Sequence, residues 1–273
     1  MKYFRFTCTY IPSYDTIVNR VSRFCRYLSA MYEYYFKPIK TAGVSSLHVC
    51  FVDKQPDDYV EVATIKDCFV ITDWNNLQKL TEEDLMRHML ECCQEEIIGC
   101  AIKEGWLTHP FEKAYLEIVQ KDYLFKQHHK KPVLSQNKQY RAQLYYEFDY
   151  KSDGAYVEIT DKEKRIINRI QFAPSGYLVI CGSIGTISWL NDNTVRVSES
   201  NRCSYWTVGL NGNVEYGNIK ADKNDAHALY QLGVDYFNGI QVLKDEQKGF
   251  QLVQKSAELG YKHAKKWIER IRK

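Results

Sequence analysis

Polar and apolar side chains alternate with period two over residues 2–10. Phe4, Phe6, Cys8 and Tyr10 stand opposite Tyr3, Arg5, Thr7 and Thr9, the pattern of a half-buried strand. After Pro12-Ser13 the apolar spacing changes to three and four. Ile17, Val21, Phe24, Cys25, Leu28, Met31, Tyr32 and Tyr35 make one stripe, which predicts a helix to about Phe36 with Pro38 as its stop. Short strands are expected at 47–52, 59–63 and 68–72, the first two parted by turn residues over 53–58. This β-α-β-β-β opening belongs to small α+β domains. Thr81-Glu-Glu-Asp84 gives a hydroxyl cap and acids in the first turn, where the helix dipole favours them. The helix it starts carries Leu85, Met89, Cys92 or Cys93, Glu96 or Ile97, and Cys100 inward and ends near Gly105. Thr108 caps the next, from Pro110 to about Gln127, with Phe111, Tyr115, Ile118, Val119 and Tyr123 as its stripe.

A polar segment, His128-His-Lys-Lys-Pro132 followed by Ser135-Gln-Asn-Lys138, reads as the first boundary. Beyond it the texture turns to strands, expected at 144–150, 156–160, 166–173, 177–181, 187–190, 194–198, 205–210 and 214–219. Asp153-Gly154, Pro174-Ser-Gly176, Asn191-Asp-Asn193 and Asn211-Gly212 are the hairpin signals between them. The stretch therefore reads as an antiparallel meander.

From Asp225 the period is helical and the sequence nearly repeats. His227-Ala228 recurs as His263-Ala264, an offset in the range of stacked helical pairs. One helix is expected over 225–238, with Ala226, Leu229, Tyr230, Gly233 and Phe237 on one face and Gly239 as a left-handed stop. Asp245 caps a second over 246–259, where Phe250, Val253 and Ala257 face back, and Gly260 ends it. A third begins at Lys262 with Ala264, Trp267, Ile268 and Ile271 inward.

The run Ala226-His-Ala-Leu-Tyr-Gln-Leu-Gly233, then Tyr236, Gly239, Asp245, Lys255-Ser-Ala-Glu258 and Gly260, resembles a Sel1-like repeat, a relative of the tetratricopeptide repeats. The resemblance covers about a fifth of the chain and assigns Ala226, Leu229, Gly233, Tyr236, Gly239, Asp245, Ala257, Gly260 and Ala264 as repeat positions. It implies an adaptor surface for another protein. Gly249 and Ser256 depart from the alanines usual in that family, which should loosen the second helix slightly. Solenoids need about three repeats to bury a continuous core. A single repeat must therefore pack on the strands before it or on another molecule.

The nine cysteines show no framework spacing. The first residues alternate instead of forming the apolar core of a signal peptide, so reduced thiols in a cytoplasm are expected. Lys and Arg balance Asp and Glu at 27 each over residues 1–220, so the net +3 lies wholly beyond them, as 10 cations against 7 acids. That excess points neither to nucleic acid nor to a membrane, and no apolar run has the span of a membrane helix.

His88, Cys92, Cys93, Cys100 and His109 are possible metal ligands. They lack paired C-x2-C knuckles and an H-E-x-x-H motif, and a cysteine stripe on a helix is ordinarily core. His128-His129 with Lys130-Lys131 would suit an anion, and equally a solvated loop. No nucleophile elbow is present, and Cys181-Gly-Ser-Ile-Gly185 lies between strands, where it matches no phosphate-binding loop. The acids of Asp57-Asp58 and Glu82-Glu83 fall in a turn and a helix cap. Catalytic, metal and cofactor residues are therefore not assigned, and no residue is assigned to a partner face.

The expected whole is an α+β protein: an N-terminal α+β domain over 1–137, an antiparallel meander over 138–220, and an α-hairpin with a capping helix over 221–273. The expected function is non-enzymatic binding of another protein. The architecture is similar to that of bacterial toxin-immunity proteins, which implies a cytoplasmic inhibitor of a toxin domain. The alternatives are a repeat adaptor or scaffold in signalling, and an enzyme or ligand-binding protein using a cleft between the N-terminal domain and the meander.

Overall fold

A computed structural model describes residues 1–8, 15–56, 62–151, 153–173, 184–200, 203–240 and 242–271. The fold is α+β, in two compact units: residues 1–125 with 148–152, and residues 126–147 with 153–273.

The first unit contains β1 (Tyr3–Cys8), α1 (Asp15–Tyr35), β2 (Ser46–Val52), β3 (Ile65–Ile71), α2 (Trp74–Leu77), α3 (Glu82–Lys103) and α4 (His109–Gln120). Its sheet is parallel, in the order β1-β2-β3, with Phe4 opposite Leu47 and Val49 opposite Cys68. Parallel neighbours need a crossover, and α1 supplies it between β1 and β2. Ile17, Val21, Phe24, Cys25, Leu28, Met31 and Tyr32 are buried as the stripe predicts, while Tyr35 is only half-buried. They share the unit's core with Phe4, Phe6, Leu47, Val49, Met89, Cys93, Ile97, Phe111 and Ile118. The edge strand β1 is satisfied by α1 side chains. Phe6 N–H donates to Ser29 Oγ at 2.8 Å and Phe4 N–H to Glu33 Oε1 at 3.0 Å, which closes an open sheet edge.

Several expected elements differ. The strand at 59–63 lies mainly outside the described residues, and residues 63–64 form a turn leading into β3. The fourth helix ends at Gln120, because Phe125 already starts a strand. Thr108 precedes that helix without a side-chain cap bond, whereas Thr81 accepts the Asp84 N–H at 3.1 Å as expected.

The second unit contains β4 (Phe125–Leu134), β5 (Tyr140–Phe148), β6 (Asp153–Asp161), β7 (Ile166–Ala173), β8 (Ile184–Asn191), β9 (Thr194–Glu199), β10 (Ser204–Gly209), β11 (Val214–Asn218), α5 (Ile219–Asp222), α6 (Ala226–Asn238), α7 (Glu246–Glu258) and α8 (Lys262–Ile271). Phe125 and Phe148, the end residues of β4 and β5, are counted with the first unit. The strands make two four-stranded sheets, β4-β5-β6-β7 and β8-β9-β10-β11 in spatial order, and not a single meander. The polar stretch at 128–134 is part of β4, so it is no loop. Asp153-Gly154 opens β6 and is not its preceding turn. The expected strand at 177–181 and the Pro174 turn lie outside the described residues.

One apolar cluster joins the two sheets and the helices. Leu144, Val157, Ile159 and Phe172 come from the first sheet, Val195, Val197, Trp206 and Tyr216 from the second, and Ala228, Leu229, Leu232 and Tyr236 from α6. Trp206 is fully buried and packs edge-on against Phe172 at 5.3 Å between ring centroids.

Candidate interaction site in the C-terminal helices

Two aspartates start this site and one glycine turns it. Asp225 accepts the Ala228 N–H at 2.8 Å, and Asp245 accepts the Lys248 N–H at 2.9 Å, each the side-chain cap of its helix. Gly239 ends α6 at φ +71°, a left-handed conformation that a side chain resists.

α6 uses two faces. Gly233 meets α7 so closely that a β-carbon there would lie 2.8 Å from the Gly249 carbonyl oxygen and 2.9 Å from Val253 N. Gly249 is its counterpart, with Phe237 N 2.6 Å from the place of its missing β-carbon. The Ser256 hydroxyl donates to the Ala226 carbonyl, so that buried side chain is paired across the crossing. The expectation that Gly249 and Ser256 loosen this helix is therefore corrected: one permits the close approach and the other bonds across it. The other face of α6 enters the sheet core through Leu229, Leu232 and Tyr236. The Tyr236 hydroxyl donates to Tyr216 O at 2.8 Å and accepts from Tyr216 N at 3.0 Å and Lys248 Nζ at 2.9 Å.

The assigned repeat positions divide accordingly. Leu229, Tyr236 and Ala264 are buried, Gly233 lies at the crossing, Gly239 ends α6, Asp245 caps the start of α7, and Gly260 follows α7 at φ +91°. Ala226 and Ala257 are half-buried. On α7 the buried residues are Gly249, Val253 and Ser256, with Phe250 half-buried. On α8 only Ala264 is buried. Trp267 and Ile268 are half-buried and Ile271 is 42% exposed, short of the inward stripe expected of them. Within the described residues α8 packs on α7 and touches α6 through the Trp267–Phe237 ring pair at 4.9 Å, which leaves its other side exposed.

Between α6 and α8 runs a groove of about 530 Å³, lined by Tyr230, His263, Lys266, Glu269 and Arg270. Tyr261 stands beside it, its ring centroid 5.3 Å from those of His227, Tyr230 and His263 alike. Tyr261 and Lys248 were not singled out in the sequence, where a lone Tyr or Lys in a helical segment carries no signal.

Asp235 is the perturbed acid of this region. Burial, then the nearby Glu199 carboxylate, pushes it up to about 6. The folded protein therefore holds this proton more tightly than the unfolded chain, and stability falls as pH rises from about 4 to about 6. Asp235→Asn should raise the unfolding free energy read from urea titration at pH 7.5 by about 1 kcal/mol, allowing for solvent screening of a partly exposed group, and leave it unchanged at pH 3.5. An equal gain at both pH values would show that Asp235 is not the titrating group.

Elsewhere the candidate chemistry is thiol chemistry. The eight described cysteines are free. Cys93 and Cys100 are buried core, and half-buried Cys92 contacts His88 Nε2 at 3.6 Å. Cys8 is held at about 7, first by a hydrogen bond with Cys25 and further by Ser22, whose Oγ is 3.0 Å away. Among the described residues no three His, Cys, Asp or Glu groups converge on a metal position. A cleft of about 520 Å³ in the first unit lies at the carboxyl ends of β2 and β3, against Thr72, Asp73, Asn76, Lys79, His88 and Cys92. Among the described residues no helix is long and apolar enough to cross a membrane.

Comparison with family models, with curated proteins and with solved structures gave no match.

Proposed function

We propose that the chain is a non-enzymatic protein-binding protein, a bacterial immunity-type inhibitor that neutralises a toxin domain by occupying it, with residues 226–264 as a Sel1-like repeat. The observation that carries this reading is the one-sided anchoring of the helices. Leu229, Leu232 and Tyr236 fix them to the sheets, while Phe237, Trp267 and Ile271 stay partly or largely uncovered on the side where a solenoid would continue. A rigid anchor on one side and an unfilled helical face on the other suit capture of a partner. Affinity capture from the native host with the whole chain tests it. Recovery of one stoichiometric partner, whose toxicity the chain suppresses on co-expression, is the expected result. Recovery of several pathway components instead would favour the signalling scaffold, and recovery of none would remove both readings.

A small-ligand site is the second reading. The cleft in the first unit supports it, because open parallel sheets hold ligands at the carboxyl ends of their strands.

A further inference from the structure

We infer that the groove between α6 and α8 takes an extended acidic segment of the partner, with carboxylates at alternate positions. The inference rests on the protein-binding reading and adds to it the partner's chemistry and the face it meets. The first support is charge. The net +3 of the chain lies wholly beyond residue 220. On α8 Lys262, Lys265, Lys266 and Arg270 face a single acid, Glu269.

The second support is that this arrangement works against the helix. Lys262, Lys266 and Arg270 follow one another at four-residue spacing, where like charges destabilise by a few tenths of a kcal/mol per pair. The first turn holds no acid, so Lys262 sits unrelieved at the positive end of the dipole. Lys265 precedes Glu269 by four, the poorer order for such a pair. Among the described residues none of the four cations forms an ion pair. A helix that only closes the fold gains nothing from this row; a ligand bearing carboxylates does.

The third support is spacing. Residues four apart on a helix are separated by about 6 Å along its axis. Alternate side chains of an extended chain are about 6.6–6.8 Å apart on one face. Lys266 and Arg270 line the groove at that interval, and Lys262 continues the row. The guanidinium of Arg270 suits a carboxylate held by two parallel bonds. The half-buried rings of Tyr230 and Tyr261, tilted by 52° to one another, give the peptide apolar faces to pack against. The neutral balance of residues 1–220 disfavours nucleic acid, which calls for a broad basic surface.

The test is fluorescence anisotropy of the whole chain with a labelled peptide alternating glutamate and serine. Its glutamine counterpart and a short oligothymidylate run in parallel. The glutamate peptide should bind saturably and the glutamine peptide about tenfold more weakly or less. Lys266→Glu with Arg270→Glu should weaken the glutamate peptide by about tenfold or more at an unchanged melting temperature. Lys266→Gln with Arg270→Gln should give a smaller loss in the same direction. Lys255→Glu, an exposed cation of α7 outside the groove, should change nothing. No saturable peptide binding, an equal loss in Lys255→Glu, or tighter binding of the oligothymidylate through the same two cations would each overturn the assignment. Partner capture with the charge-reversed chain separates the two levels. Undiminished capture overturns the groove and leaves the protein-binding reading standing, whereas failure of the wild-type chain to capture anything removes both.

Discussion

Gly249→Ala should destabilise the protein by about 1–3 kcal/mol, although alanine is the better helix former by about 1 kcal/mol. The sign is set by what the added methyl group meets. Its three nearest neighbours are backbone atoms of α6: Gly233 O and Phe237 N at 2.6 Å and Phe237 Cα at 2.8 Å. Backbone cannot swing aside as a flexible side chain can, so the helices must separate. Separation would also strain the Ser256–Ala226 bond and the seat of Val253, which is fully buried. Gly233→Leu meets the same wall from the other side, with the Gly249 oxygen and Val253 N within 3 Å of its first side-chain atom, and should cost at least as much. Gly99 is the control: it lies within α3 with nothing within 4 Å of its missing β-carbon, so Gly99→Ala should be neutral or stabilising. Urea midpoints of the three variants decide the matter. A Gly249→Ala midpoint equal to or above that of the wild type would mean the helices do not cross where these glycines lie.

These glycines mark how far the sequence is legible. Gly233 announces itself, because a glycine in the middle of a strongly apolar helix face needs a reason. Gly249 does not, because its helix has a weaker stripe and propensity alone reads it as a defect. Its role appears only when the two helices are paired, and pairing is not a local property. Ser256 is similar: its hydroxyl looks like a departure from an apolar position until Ala226 O is placed opposite it.

The same division runs through the fold. β1, α1 and the Thr81 start of α3 are legible because one-sided burial and capping write a period and a signature into consecutive residues. β4 is not, since His128-His-Lys-Lys carries no alternation and becomes a strand by lying beside β5 in the sheet. The division of the later strands into two sheets is equally silent. Alternation tells which face of a strand is buried and not which neighbour it pairs with. α2 and α5 are too short for a helical period, although Asp73 and Asn218 cap them in the ordinary way. The groove is the least legible feature. Tyr230 and Lys266 are 36 residues apart in the sequence, and only the return of α8 toward α6 brings them together.

Removing the helices altogether should have the largest effect. A fragment ending at residue 221 keeps every strand and loses Ala228, Leu229, Leu232, Tyr236 and Val242 from the shared core. Burial of each leucine contributes about 1.5–3 kcal/mol, so the two leucines alone approach the lower end of the 5–15 kcal/mol that stabilises an ordinary domain. Tyr236 adds a second loss. Its hydroxyl holds both the N–H and the carbonyl of Tyr216 on the outermost strand of the β8–β11 sheet, and without it those backbone groups become an open edge. Trp206 and Tyr216, whose tilted rings lie 5.0 Å apart, would lose the α6 residues of their shared cluster. The fragment should therefore lose amide-exchange protection in β10 and β11 and aggregate at concentrations where the whole chain stays dispersed. Hydrogen exchange with mass spectrometry reads this strand by strand. Undiminished protection of β10 and β11 in the fragment would show that the helices are carried by the sheets without supporting them, and the one-sided anchoring behind the proposed partner face would lose its physical basis.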